Sequence, residues 1–348
     1  MRALFFSGHG EPDRLSFGER PDPAPAPGEV LVRVRAAALN HLDLFVLRGL
    51  PGVPVDPPHV GGADAAGTVA AVGDGVEGWR TGDEVVLNPG LWCGRCDACR
   101  GGEECLCPSF RLLGEHVDGT FAELVRVPAA SLGRRPAHLS WEEGAAFGLT
   151  FLTAWRMLMT RAALRRGESV LIHGIGGGVA LAALTLAKRA GATVLVTSSS
   201  GEKLARAVEM GADHAIDRSS ADVAREVRRI TEKRGVDVVV DTVGRATWMT
   251  SLRCARRGGR IVTCGATSGP DPAEEIRLIF WNQLSILGST MGTRSEWDAM
   301  VRAVESGRLR PVVDRVVPLA EGRQAYERMA GGGQFGKLVL DVAAGGSA

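Results

Sequence analysis

The spacing of apolar residues along the 348-residue chain changes near residue 140. Before it, runs such as Glu29-Val-Leu-Val-Arg-Val-Arg35, Gly67-Thr-Val-Ala-Ala-Val-Gly73 and Asp83-Glu-Val-Val-Leu87 are short and broken by Pro and Gly, which predicts a mostly antiparallel β region. Pro21, Pro23, Pro25 and Pro27 read as an extended surface connection. At Ser140-Trp-Glu-Glu143 a capping-box pattern opens a helix, and 149–158 reads as another, so the period moves from two to 3.6. From Ser169 onward apolar strand candidates at 169–173, 193–197, 214–216, 236–241, 259–264 and 285–289 alternate with amphipathic stretches such as 221–233. Strands joined by helical crossovers predict a doubly wound parallel sheet, six-stranded and covered on both faces. Beyond residue 293 the pattern predicts helices over 296–306 and around 320–329, then a strand over 337–342.

Composition narrows the function classes. The 41 basic and 40 acidic residues nearly cancel, so no nucleic acid or anionic membrane partner is expected, and small-molecule work is. With 45% hydrophobic residues and 46 glycines, disorder and disulfide-scaffold readings fail. Met1 to Gly10 has no basic start followed by a long apolar run, and no stretch reaches the roughly 18 apolar residues of a membrane helix, so the cytoplasm is the expected compartment. Cysteines crowded into 93–107 then read as metal thiolates. Cys93, Cys96, Cys99 and Cys107 form C-x2-C-x2-C-x7-C, the ligand set of one closed structural zinc; Cys105 could replace Cys107 on spacing alone. Cys254 and Cys264 read as core thiols.

A nucleotide loop follows the first parallel strand: Gly174-Ile-Gly-Gly-Gly-Val-Ala180 leads into a helix. Glycines let the backbone approach a pyrophosphate at the helix N-terminus, which makes Gly174, Gly176, Gly177, Gly178 and Val179 cofactor candidates. The second strand ends in Ser198-Ser-Ser-Gly-Glu-Lys203, with no carboxylate to accept the ribose hydroxyls of NAD. Hydroxyls and a cation, with Ser198, Ser199 and Lys203 as candidates, favour NADP(H) over NAD(H). Gly265, after the fifth strand candidate, and Lys337 complete the expected cofactor contacts.

A β domain with a four-cysteine lobe, a Rossmann domain, and a return segment through Phe335-Gly-Lys337 together resemble the medium-chain dehydrogenase/reductase superfamily over essentially the whole chain. The stretch Gly62-Ala-Asp-Ala-Ala-Gly67 with Gly73 and Val76 is similar to the G-H-E-x2-G-x5-G-x2-V signature of its zinc alcohol dehydrogenases. The resemblance implies an α/β fold: a GroES-like catalytic domain (1–153 and 293–348) and a Rossmann cofactor domain (154–292), with the active site between them. It also implies places for three catalytic zinc ligands and a proton-relay hydroxyl. Those places hold Asn40, Ala63, Leu149 and Leu42, so the catalytic zinc is expected to be absent while the structural zinc is kept.

Carbonyl reduction without a Lewis acid leaves full charge on one oxygen, whereas an activated C=C bond or a quinone spreads it. The expected function is therefore NADPH-dependent, metal-free reduction of an enone, enoyl group or quinone. Asn40 and Asp43 resemble the N-x-x-D element of zinc-free quinone and enoyl reductases: Asn40 would orient substrate or ribose and Asp43 support it, while Asn40 also caps the helix over 41–48. Asp64 orders the local backbone, Thr153 sits where the family places a residue against the nicotinamide, and His41 or His59 are the proton-donor candidates. Tyr326, the single tyrosine, lies away from the family's substrate-facing segments. Two alternatives stand beside this reading. One is an alcohol or aldehyde dehydrogenase with unconventional zinc ligands such as His41, His59 or Asp64, and the other is a non-catalytic NADPH-binding protein. Strand 284–288, last in the sheet, predicts a homodimer through its exposed edge.

Overall fold

In a computed structural model, which describes residues 1–307 and 309–345, each of the six apolar runs between Ser169 and residue 289 becomes a strand of one parallel sheet. The six strands are Ser169–Ile172, Thr193–Ser198, His214–Asp217, Val236–Asp241, Ala255–Thr263 and Ser285–Gly288. They lie in the order third, second, first, fourth, fifth, sixth. The central strands are buried on both faces, as Val170, Leu171, Ile172, Val238, Val239 and Val240 show, because crossover helices such as Gly178–Arg189 cover the sheet. Burying each such side chain stabilises by about 1.5–3 kcal/mol. The sixth strand ends the sheet and is half to fully exposed.

The chain divides into two compact units, Met1–Leu149 with Thr293–Ala348, and Thr150–Gly292. Thr150 to Thr153, expected in the first, therefore belong to the second.

The first unit is built on a seven-stranded mixed sheet in the order Leu132–Arg134, Glu84–Leu87, Asp64–Val72, Glu29–Ala38, Lys337–Asp341, Val313–Pro318, with Leu124–Pro128 also paired to Glu29–Ala38. Its register sets the chemistry. Ala38 stands opposite Asp64 on one side and opposite Val339 on the other, both antiparallel. Asn40, just past Ala38, Asp64 at the head of its strand, and Lys337, just before Val339, therefore emerge at one end of the sheet. The helix His41–Arg48 starts there, with Asn40 at its N-cap.

One expectation at element level changes. Instead of separate helices, a single helix runs over Trp141–Trp155, followed by a π-helical turn at Arg156–Arg161. The capping box at its start forms as expected: Glu143 N donates to Ser140 Oγ at 3.2 Å and Ser140 N to the Glu143 carboxylate at 3.0 Å. Within the helix Gly148 makes a close approach, since a Cβ there would lie 2.6 Å from Asp64 Oδ1 and 2.9 Å from the Leu87 carbonyl.

Candidate active site

The end of the mixed sheet carries a closed polar network. Lys337 Nζ donates to Asn40 Oδ1 at 2.5 Å and to Asp64 Oδ2 at 3.1 Å, and Asn40 Nδ2 donates to the same Asp64 oxygen at 3.0 Å. The other Asp64 oxygen accepts the Leu149 amide at 2.7 Å, which Gly148 makes possible. Asp43 accepts the Asn40 amide at 2.6 Å and the Gly62 amide at 3.1 Å. All four side chains are buried, Asp64 completely. Burial, with Asp64 adding repulsion, pushes the Asp43 carboxyl up to about 7 against the pull of the Asn40 and Gly62 amides and of Lys337.

The three places matched to catalytic zinc ligands hold Asn40, Ala63 and Leu149: an amide committed to Lys337 and Asp64, a buried methyl group, and a backbone amide bonded to Asp64. Gly67 and Gly73 of the surrounding signature serve the sheet itself, where a Cβ would meet the Arg33 and Ala26 carbonyls at 2.2 Å and 2.1 Å. Lys337, expected among the cofactor contacts, gives its ammonium to Asn40 and Asp64. No local sequence signal points to that pairing; only the register does.

Of the proton-donor candidates, His59 is buried, with Nε2 3.0 Å from the Gly114 carbonyl and Nδ1 3.5 Å from Asp118. His41 is half-buried at the start of its helix, where burial, with Arg48 and Lys337 adding repulsion, pushes its pKa down. Tyr326 is packed in the first unit's core, edge-on to Phe121. His41, His59 and Asp64 do not form a metal-ligating cluster. Among the described residues, Cys93, Cys96, Cys99 and Cys107 do, their sulfurs all within 4.8 Å of one another. Tetrahedral zinc with thiolate ligands holds its sulfurs about 3.8 Å apart. Cys93 and Cys99 at 3.9 Å and Cys96 and Cys99 at 3.5 Å bracket that value, so the cluster fits a structural zinc. Backbone N–H groups of Arg95 and Cys96 pull the Cys93 thiol down, while burial and the neighbouring sulfurs push Cys99 up, so without a metal the thiols share their protons unevenly. The group takes Cys107 and leaves Cys105 out.

In the second unit, the strand Ser169–Ile172 runs into Gly174 and Gly176, both in the left-handed region at φ +68° and +117°, and Gly177 caps the helix that starts at Gly178. The Ile175 amide donates to the Thr197 carbonyl, tying this loop to the end of the second strand. Val179 lies in the first turn of that helix, and Gly265 lies just beyond the fifth strand. Ser198 Oγ accepts the Ser200 amide, and Ser200 Oγ accepts the Lys203 amide as an N-cap. Ser199 Oγ accepts from Arg218 at 3.3 Å, a residue the sequence reading passed over. Thr153 is buried, its hydroxyl 3.7 Å from the Met291 sulfur.

Residues 26–137 match the alcohol dehydrogenase GroES-like domain family, and 178–306 match the zinc-binding dehydrogenase family. The acryloyl-coenzyme A reductase of Metallosphaera sedula is 35% identical, covering 98% of this chain and 99% of that protein. The chain belongs to the medium-chain dehydrogenase/reductase superfamily. The crotonyl-CoA carboxylase/reductase of Cereibacter sphaeroides is 34% identical over 92% of this chain and 82% of that one. Among solved structures, an NAD-dependent alcohol dehydrogenase superposes with a TM-score of 0.94 at 46% identity, covering 98% of this chain and 100% of that one. This member of the superfamily is an NAD(P)H-dependent oxidoreductase, which removes the non-catalytic alternative.

Proposed function

We propose that this chain reduces a C=C bond conjugated to a carbonyl or thioester, or a quinone, with NADPH and without a metal at the reacting carbon. The observation that carries this reading is the identity and bonding of Asn40, Ala63 and Leu149, which offer no thiolate or imidazole where the superfamily's zinc alcohol dehydrogenases hold their metal. Bound NADPH would supply the hydride. Delivered to the β-carbon, it shifts the electron pair to the carbonyl oxygen at the other end of the conjugated system, where hydrogen-bond donors suffice, and a proton then adds at the α-carbon. Asn40 and Asp43 fix the backbone at the head of the helix His41–Arg48 and act as positioning residues; His41, half-buried at the start of that helix, would relay the proton from solvent. The acryloyl-CoA and crotonyl-CoA names of relatives support an unsaturated thioester as the substrate class. The glycine loop and Ser198 to Ser200 would hold the dinucleotide, with Gly265 and Thr153 as further contacts. The four-cysteine lobe would hold one structural zinc.

The likeness to an NAD-dependent alcohol dehydrogenase favours a second reading, oxidation of an alcohol. Deuteride transfer from stereospecifically labelled NADPH and NADH to enoyl thioesters, enones, quinones and aldehydes separates the two. Deuterium at the β-carbon of an enoyl thioester or enone, or transfer to a quinone, with NADPH preferred, is the expected result; turnover of aldehydes alone would overturn it.

A further inference from the structure

We infer that Arg218, with the Ser199 hydroxyl, is the group that selects the cofactor by binding the 2′-phosphate of its adenosine ribose. This rests on the NADP(H) reading above and gives it a residue.

The strands Thr193–Ser198 and His214–Asp217 are parallel neighbours, with Ser198 opposite Asp217. The Arg218 amide donates to the Ser198 carbonyl at 2.9 Å, so residue 218 leaves the sheet at the level of the serine run. Parallel sheets of this kind bind dinucleotides beyond the carboxyl ends of their strands, and the end of the second strand is where the adenosine ribose is read. Of the three serines there, Ser198 and Ser200 spend their hydroxyls on backbone amides of the turn and helix start. Ser199 turns its hydroxyl to Arg218 Nη2.

The guanidinium is exposed and, among the described residues, forms no ion pair. The nearest carboxylate in sequence, Asp217, is occupied by the amide and hydroxyl of Ser219 through Oδ1. Asp217 lies close enough for its charge to feel Arg218, yet the guanidinium makes no direct bond to a carboxylate among the described residues, and its N–H groups beside a hydroxyl suit a phosphate dianion, which accepts paired N–H bonds. A free ribose hydroxyl gains much less from it, and no carboxylate stands at the end of the second strand to accept the two hydroxyls of NAD.

Calorimetric binding of adenosine 2′,5′-bisphosphate and of 5′-AMP tests this without turnover. The native protein is expected to bind the bisphosphate at least about tenfold more tightly. Arg218→Ala should weaken bisphosphate binding by about 10- to 100-fold, the loss of a charge-assisted contact, and leave 5′-AMP unchanged. Arg218→Lys should recover part of the loss. If the native protein shows the preference and Arg218→Ala keeps it, the assignment of Arg218 is overturned while the NADP(H) reading stands. If the native protein shows no preference, the NADP(H) reading falls, and the role of Arg218 with it.

Discussion

Asp43 is the residue whose environment most clearly sets a measurable. Its folded pKa of about 7 lies well above the unfolded carboxyl value. Between the two, the native state holds a proton that the unfolded chain has lost, so stability falls as pH rises. The contribution is full below about pH 4, shrinks through the window, and is gone above about pH 7. Asp43→Asn removes the titration and turns an amide N–H toward one of two backbone donors, at a cost of about 1–3 kcal/mol. Denaturant unfolding across this range should show the stability advantage of the native protein over the variant shrinking as pH rises; a constant difference would contradict a raised Asp43. The sequence pointed to Asn40, Asp43 and Asp64 through a motif, because they lie within or beside short, recognisable segments. It could not point to Lys337 as their partner, since strand register brings that ammonium in from 297 positions away. Arg218 did leave a local trace, a cation directly after the third parallel strand, but its meaning depends on which strand lies beside it.

Elements were legible wherever burial dictates a run. The parallel strands are β-branched stretches bounded by helices, and Val236–Asp241 shows this most plainly. Two predicted helices proved to be one, Trp141–Trp155, in which Gly144 and Gly148 let the chain lie against the strand carrying Asp64. The cysteine loop was legible as four ligands and ambiguous as to the fourth until the sulfurs were placed. Holding the loop depends on a metal wherever local structure is this sparse, with only short helices at Asp97–Arg100 and Glu104–Leu106. Cys99→Ser should therefore lose zinc, measured per chain by elemental analysis, and melt at lower temperature, while Cys105→Ser should retain one zinc. Equal metal loss from both would show that the ligand set is wrong.

At the scale of the molecule, the sixth strand of the parallel sheet has no strand on its outer side among the described residues, and Ile276, Phe280 and Trp281 stand exposed on the helix before it. A second copy pairing edge to edge would cover both. Ile286→Lys, a charge on that edge strand, should convert a dimer to a monomer in light scattering, and an unchanged mass would remove this surface from the assembly. The mixed sheet of the first unit has a different consequence. Its strands Val313–Pro318 and Lys337–Asp341 arrive only after the whole second unit has been made. On a translating ribosome the second unit can fold while the first waits with its strand Glu29–Ala38 open along one side. Asn40 and Asp64 thus stay without their cation until Lys337 emerges, and a nascent chain stalled before it would hold the fold of the second unit but not the polar network at the end of the mixed sheet.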